Sequence, residues 1–202
     1  MNLVDRLKRI LLSPKTEWEV IDAEPATTAE LYTRYIMPLA AIGPLAQLIG
    51  YSVFGIGVPF VGTYRVPIGT ATTQALVSYI LTLAGTYLLA LIIDALAPTF
   101  NGQRSQIQAL KLAAYSLTAS WVAGIFALIP GLRILTLLGI YSLYLLYRGL
   151  PVLMKTPREK AASYTAVVIL AAIILSIVIG AVASVFMRVP GPGRTMPGGT
   201  LD

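Results

Sequence analysis

The sequence predicts an all-α polytopic membrane protein, a bundle of five transmembrane helices preceded by one or two interfacial amphipathic helices. Three observations predict it. Apolar side chains make up 56% of the 202 residues and charged ones only 12%, half the share of about 25% that keeps a soluble surface in water; the mean hydropathy is +0.77. Five apolar stretches are each long enough to cross a hydrocarbon core of about 30 Å as a helix. The basic residues, finally, distribute unevenly between the two sides those five crossings define.

Residues 1–32 form an N-terminal segment. Leu3, Val4, Leu7, Ile10 and Leu11 fall on one helical face and Asp5, Arg6, Lys8 and Arg9 on the other, which suits a helix lying in the headgroup plane. Apolar and charged residues alternate from Asp5 to Arg9, so no continuous apolar core of a secretory signal is expected. Pro14, behind Ser13, opens a second short helix as its first residue, with Trp18 and Ile21 as interface-facing positions. Thr27 and Glu30 have capping-box spacing and Leu31 follows, so the first span starts from a capped helix. Simple anchoring accounts for this segment; regulatory lipid sensing is the sharper alternative.

The five-span domain covers residues 33–187, with apolar stretches at 33–57, 74–96, 107–130, 132–153 and 164–187. In the first, Pro38 and Gly43-Pro44 remove backbone donors and crowd the preceding turn, so this helix should bend or break. Broken helices line substrate sites in transporters and are also ordinary packing kinks. Only Pro130-Gly131 separates the third stretch from the fourth, which reads as a tight helical hairpin. Residues 188–202 are rich in Pro and Gly without apolar periodicity and read as a disordered tail. A cytoplasmic N-terminus places Arg6, Lys8, Arg9, Lys15, Arg34, Arg104, Lys111, Arg148, Lys155, Arg158 and Lys160 on that side, eleven of the fifteen basic residues, and only Arg65, Arg133, Arg188 and Arg194 on the other. That asymmetry orients the chain N-inside and C-outside.

Three groups of residues are candidate sites. Asp94 is the one acid within a stretch and lies near its cytoplasmic end, while Lys111, Arg148 and Arg34 approach the same level from three other helices. These four predict an intramembrane ion network, structural or serving an anion or partner through an unpaired cation. Ala172, Ser176, Gly180 and Ser184 form a small-residue stripe at four-residue spacing, suited to close helix packing within the bundle or to a dimer seam. Tyr141, Tyr144 and Tyr147 share roughly one face of the fourth helix, as aromatic packing or as the wall of a polar cavity.

The chain has no cysteine and no histidine. Disulfides, thiolate zinc sites, His-ligated haem, Cys nucleophiles and His-based triads are thereby excluded. A single membrane carboxylate cannot form an aspartyl dyad, and a Ser–Lys pairing through Lys111 lacks a supporting motif. No catalytic, cofactor-binding or metal residue is assigned, and neither an enzyme nor a cofactor is expected. The net charge of +6 is assigned to the lipid surface rather than to nucleic acid, because no basic cluster has interleaved aromatics.

Three segments carry a family resemblance. They are Leu11-Leu12-Ser13-Pro14-Lys15-Thr16-Glu17-Trp18, then Tyr35-Ile36-Met37-Pro38-Leu39-Ala40, and Ala114-Tyr115-Ser116-Leu117-Thr118-Ala119-Ser120-Trp121-Val122-Ala123-Gly124. Together the chain from Leu3 to about Met187 resembles the bacterial branch of the Yip family, the Ypt/Rab-interacting five-span membrane proteins. Ala114-Tyr115 matches the recurrent third-span pattern, although Ala119 stands where that pattern has Pro. The resemblance implies five spans, a cytoplasmic N-terminus and a bacterial inner membrane. The eukaryotic N-terminal trafficking motif is not recognisable, and Rab binding does not carry over, because a bacterium lacks that machinery. The expected function is a non-enzymatic membrane-organising or partner-binding scaffold, with lipids, a second copy or a membrane protein as partners. The alternative is a small oligomeric transporter or channel using a polar site around Asp94.

Overall fold

The computed structural model describes residues 2–58 and 62–186; the tail expected at 188–202 lies outside them. Among the described residues, five helices are long and apolar enough to span a bilayer: Thr28–Phe54, Ile68–Phe100, Gln106–Leu128, Gly131–Leu153 and Arg158–Val185. Two shorter helices precede them, α1 (Leu3–Leu12) and α2 (Pro14–Ala23). A two-stranded antiparallel hairpin, β1 (Ile56–Val58) with β2 (Gly62–Tyr64), joins the first two spans and pairs Gly57 with Thr63. The all-α reading therefore holds except at this short link.

The second and fifth spans are longer than their apolar stretches, starting at Ile68 and Arg158 instead of 74 and 164. A hydropathy pattern marks the greasy part of a helix, whereas the Thr-rich and charged first turns add backbone hydrogen bonds without adding apolarity. The first span is broken as expected. It opens with the Thr27–Glu30 capping box, then widens into a π-turn over Tyr32–Ile36, where Met37 N–H donates to the Tyr32 carbonyl. This wide turn lies just before Pro38, whose ring would crowd the carbonyl four residues back. A second interruption falls at Ala41, and the helix resumes at Ile42–Ile49. The fourth span enters as a 3-10 helix over Pro130–Ile140 before becoming α-helical from Tyr141.

The third span is the centre of the bundle. Within its apolar window 67% of residues are buried, against 28% for the first, second and fourth spans and 6% for the fifth. Its alanines explain this position: Ala109, Ala113, Ala114, Ala119 and Ala123 are all buried, and small side chains let neighbouring backbones approach. Gly50 on the first span does the same, since a Cβ there would sit 2.7 Å from the Ala127 carbonyl oxygen. The third span is interrupted at Leu117 and resumes at Thr118, although the residue two further on is Ala119 and not Pro. The fifth span packs on the second through Ile179, whose Cδ1 lies 2.7 Å from where a Cβ on Gly85 would be.

Candidate functional site: the docked N-terminal hairpin

Helices α1 and α2 do not lie in a plane at the end of the bundle. They fold back on each other as an antiparallel helical hairpin with its tip at Ser13-Pro14, and they run alongside the third and fourth spans. The contacts climb in order. At the base, Gln108 Nε2 donates to Asp22 Oδ1 at 3.0 Å, and Lys155 pairs with the same carboxylate. Higher up, Lys111 reaches the end of α2, Trp18 packs on Leu112 and Gly149, and Arg6 lies over the Tyr115 ring. At the tip, Tyr141 O–H donates to the Leu11 carbonyl at 3.1 Å. Tyr141 precedes Leu153 by twelve helical residues, or about 18 Å of rise.

The sequence reading of this segment is corrected on two points. Trp18 and Ile21 are 0% and 1% exposed, so they face the bundle interior and not the interface. Gly149 makes the slot: a Cβ there would fall 2.6 Å from Trp18 Cε2 and 2.7 Å from Leu112 Cδ1. Arg6, assigned to the polar face of α1, is turned inward beside Ile10, whereas Val4 and Leu12 are exposed. The reason is electrostatic, because α2 supplies two carboxylates facing α1.

Those carboxylates build the polar centre of the site. Arg6 Nη1 donates to Glu17 Oε1 at 2.6 Å, Arg6 Nη2 donates to the Glu24 carboxylate, and Arg9 Nε donates to Glu17 Oε2 at 3.0 Å. Arg6 and Glu17 are both buried, so neither charge relies on water. A lone buried charge is costly, and this pair survives because several hydrogen bonds converge on it. Lys111 Nζ donates to the Ile21 carbonyl at 2.9 Å and to the Glu24 carbonyl at 2.6 Å. It thus caps the C-terminal end of α2, where carbonyls lack helical partners and the helix dipole favours a cation. An aromatic wall backs the cluster. Tyr35 and Tyr115 pack at 4.4 Å between ring centroids, Trp18 meets Tyr115 edge-on at 6.4 Å, and the Tyr35 hydroxyl is 2.7 Å from Thr118 Oγ1.

The predicted network around Asp94 is not brought together. Lys111 spends its ammonium on α2, Arg148 borders an outer groove, and Arg34 is exposed. Asp94 Oδ1 is buried without a hydrogen-bond partner, and no ion pair reaches it among the described residues. Equal depth along the membrane normal placed these groups together in the sequence reading; the direction each helix face points separates them. The small-residue stripe divides likewise. Ala172 packs on the core, while Ser176, Gly180 and Ser184 are exposed, the two serines donating to the carbonyls of Ala172 and Ala181 within their own helix. Tyr141, Tyr144 and Tyr147 line the outside of the bundle, with Tyr141 and Tyr144 rings 5.3 Å apart; Tyr147 borders an outer polar groove with Arg148, and Tyr141 a mostly apolar one. Among the described residues no cluster of three or more His, Cys, Asp or Glu side chains could hold a metal ion.

Sequence reasoning missed Arg6, Glu17 and Glu24 as interior residues and Gly149 as the slot. A family model described as the Yip1 domain matches residues 8–180, a stretch that includes most of the hairpin and all but the end of the fifth span. The chain belongs to the Yip1 domain family. It is similar to the inner membrane protein YohC of Escherichia coli strain K12, at 26% identity over 156 residues, covering 75% of this chain and 80% of that protein. The protein of the same name in E. coli O6:H1 strain CFT073 matches to the same extent. No solved structure is a significant match. The Yip1 match and the five spans make this an integral, multi-pass membrane protein.

Proposed function

We propose that this Yip1-domain chain is a non-enzymatic inner-membrane scaffold, and that its N-terminal hairpin is the element through which it organises lipid or engages a membrane partner. The observation that carries the reading is the bolt between hairpin and bundle: the Arg6–Glu17–Glu24 cluster and the Lys111 cap. A hairpin kept only for anchoring would need its apolar face alone. Here charges are buried to fix one orientation, and that orientation leaves Leu12 80% exposed at the tip. The inner membrane is where the E. coli relatives are named, and the count of basic residues supports a cytoplasmic N-terminus.

One observation favours a second reading, a small oligomeric transporter or channel. At the break in the first span, a cavity of about 290 Å³ is lined by Gln47, Ser78, Thr82 and Ser120. Two of its hydroxyls are already committed, Thr82 to the Ser78 carbonyl and Ser120 to the Gly139 carbonyl, which leaves the amide of Gln47 and the hydroxyl of Ser78 for a solute. Solute flux across proteoliposomes separates the readings. The scaffold predicts flux no greater than in protein-free vesicles, and Asp94→Asn without effect. Flux that disappears in Gln47→Ala or Asp94→Asn would replace it with the transporter.

A further inference from the structure

A groove of about 900 Å³ lies between α2, the end of the fourth span and the start of the fifth. Its lining carries four cations, Lys15, Arg148, Lys155 and Arg158, against the single carboxylate of Glu19. Lys155 is neutralised by Asp22 at the margin, whereas Lys15, Arg148 and Arg158 form no ion pair with any described residue. The fifth span begins at Arg158, so the positive end of its dipole borders the same groove. Thr156, also in the lining, is buried with an unpartnered Oγ1. That hydroxyl faces Gly102 and not the groove, so the three unpaired cations and the helix start are what call for an anion rich in acceptor oxygens.

The groove has a second, apolar character. Pro151 and Val152 form part of its wall, and Tyr147 at its edge continues into the exposed Tyr144 and Tyr141 along the fourth span. Aromatic side chains in such a column suit the boundary between headgroups and acyl chains. A free anion would have no use for that column. We propose that this groove binds the phosphate of an anionic phospholipid headgroup, with the lipid's chains lying along the tyrosine column. The assignment names a lipid partner for the scaffold reading and rests on it only in placing this end of the bundle at headgroup level. Flux and lipid retention are separate quantities, so one reading can fail while the other stands.

Native mass spectrometry of the full-length protein in neutral detergent tests the site, with phosphatidylglycerol, phosphatidylcholine and inorganic phosphate as probes. Phosphatidylglycerol is expected to be retained in preference to phosphatidylcholine, and millimolar inorganic phosphate to leave that retention unchanged. Arg148→Gln with Arg158→Gln should weaken phosphatidylglycerol binding about thirtyfold, each cation near an anionic lipid surface contributing roughly fivefold. Lys8→Gln with Arg34→Gln removes the same charge outside the groove and should leave binding within about twofold. Lys15→Gln, on the exposed side of α2, should give about a fivefold loss and keeps the test decisive if the double variant misfolds. Equal retention of the two lipids, or an equal loss in the Lys8 and Arg34 control, overturns the site. Displacement of the lipid by inorganic phosphate would assign the groove to a free anion and overturn the lipid.

Discussion

Replacing Glu17 by Ala leaves the buried Arg6 guanidinium with only the half-exposed Glu24 as a carboxylate partner. The expected cost is about 3 kcal/mol, since removing one partner of a buried pair leaves a charge uncompensated. A lowered thermal midpoint of the detergent-solubilised protein would show it, and Arg6→Met combined with Glu17→Leu should cost much less because no charge stays behind. Gly149→Ala tests the neighbouring contact. Its Cβ would fall inside the van der Waals envelope of Trp18, so a loss of about 1–3 kcal/mol is expected, partly recovered by Trp18→Phe. An unchanged midpoint in Gly149→Ala would mean that the indole has room the slot does not show. Neither residue was legible in the sequence in this role. Trp18 and Gly149 are 131 positions apart, and a tryptophan near a membrane end reads by default as an interfacial anchor. Arg6 reads as a polar-face residue on similarly local grounds: amphipathicity says which side of a helix is apolar, not what a neighbouring helix offers to its charges.

At the level of elements, the spans were legible because apolarity over some twenty residues is a property of the segment itself. The capped start at Thr27 and the break near Pro38 and Gly43 were readable for a similar reason, since both arise from local backbone chemistry. The hairpin was not. Its two helices were visible, but their docking depends on Lys111, a residue of the third span that the sequence reading gave to Asp94. Lys111 instead closes the last turn of α2, and this makes the hairpin's attachment testable apart from the bundle's stability. Lys111→Gln should raise amide hydrogen exchange across residues 3–24 while leaving the buried core of the third span as protected as before. Uniform deprotection of both would show that hairpin and bundle open as one unit, and that the cap is not a separate latch.

At the scale of the whole molecule, a central alanine-rich span packs against the first, second and fourth, the fifth packs on the second and fourth, and the N-terminal hairpin docks on the flank of the third and fourth. The ladder of contacts from Asp22–Gln108 to Leu11–Tyr141 carries the hairpin tip, with its exposed Leu12, up the side of the bundle, and the proposed scaffold role would set that leucine against acyl chains. Burying two charges to hold the hairpin in one orientation has a cost that a surface-lying helix would avoid, and the proposed scaffold role gives that fixed orientation a use. Since the chain contains no cysteine, a single Leu12→Cys site can carry a spin label in reconstituted vesicles without background. The account predicts collision with oxygen, which concentrates among acyl chains, to exceed collision with a water-soluble nickel chelate at this position. Dominance of the chelate at Leu12 would place the hairpin outside the bilayer and contradict it.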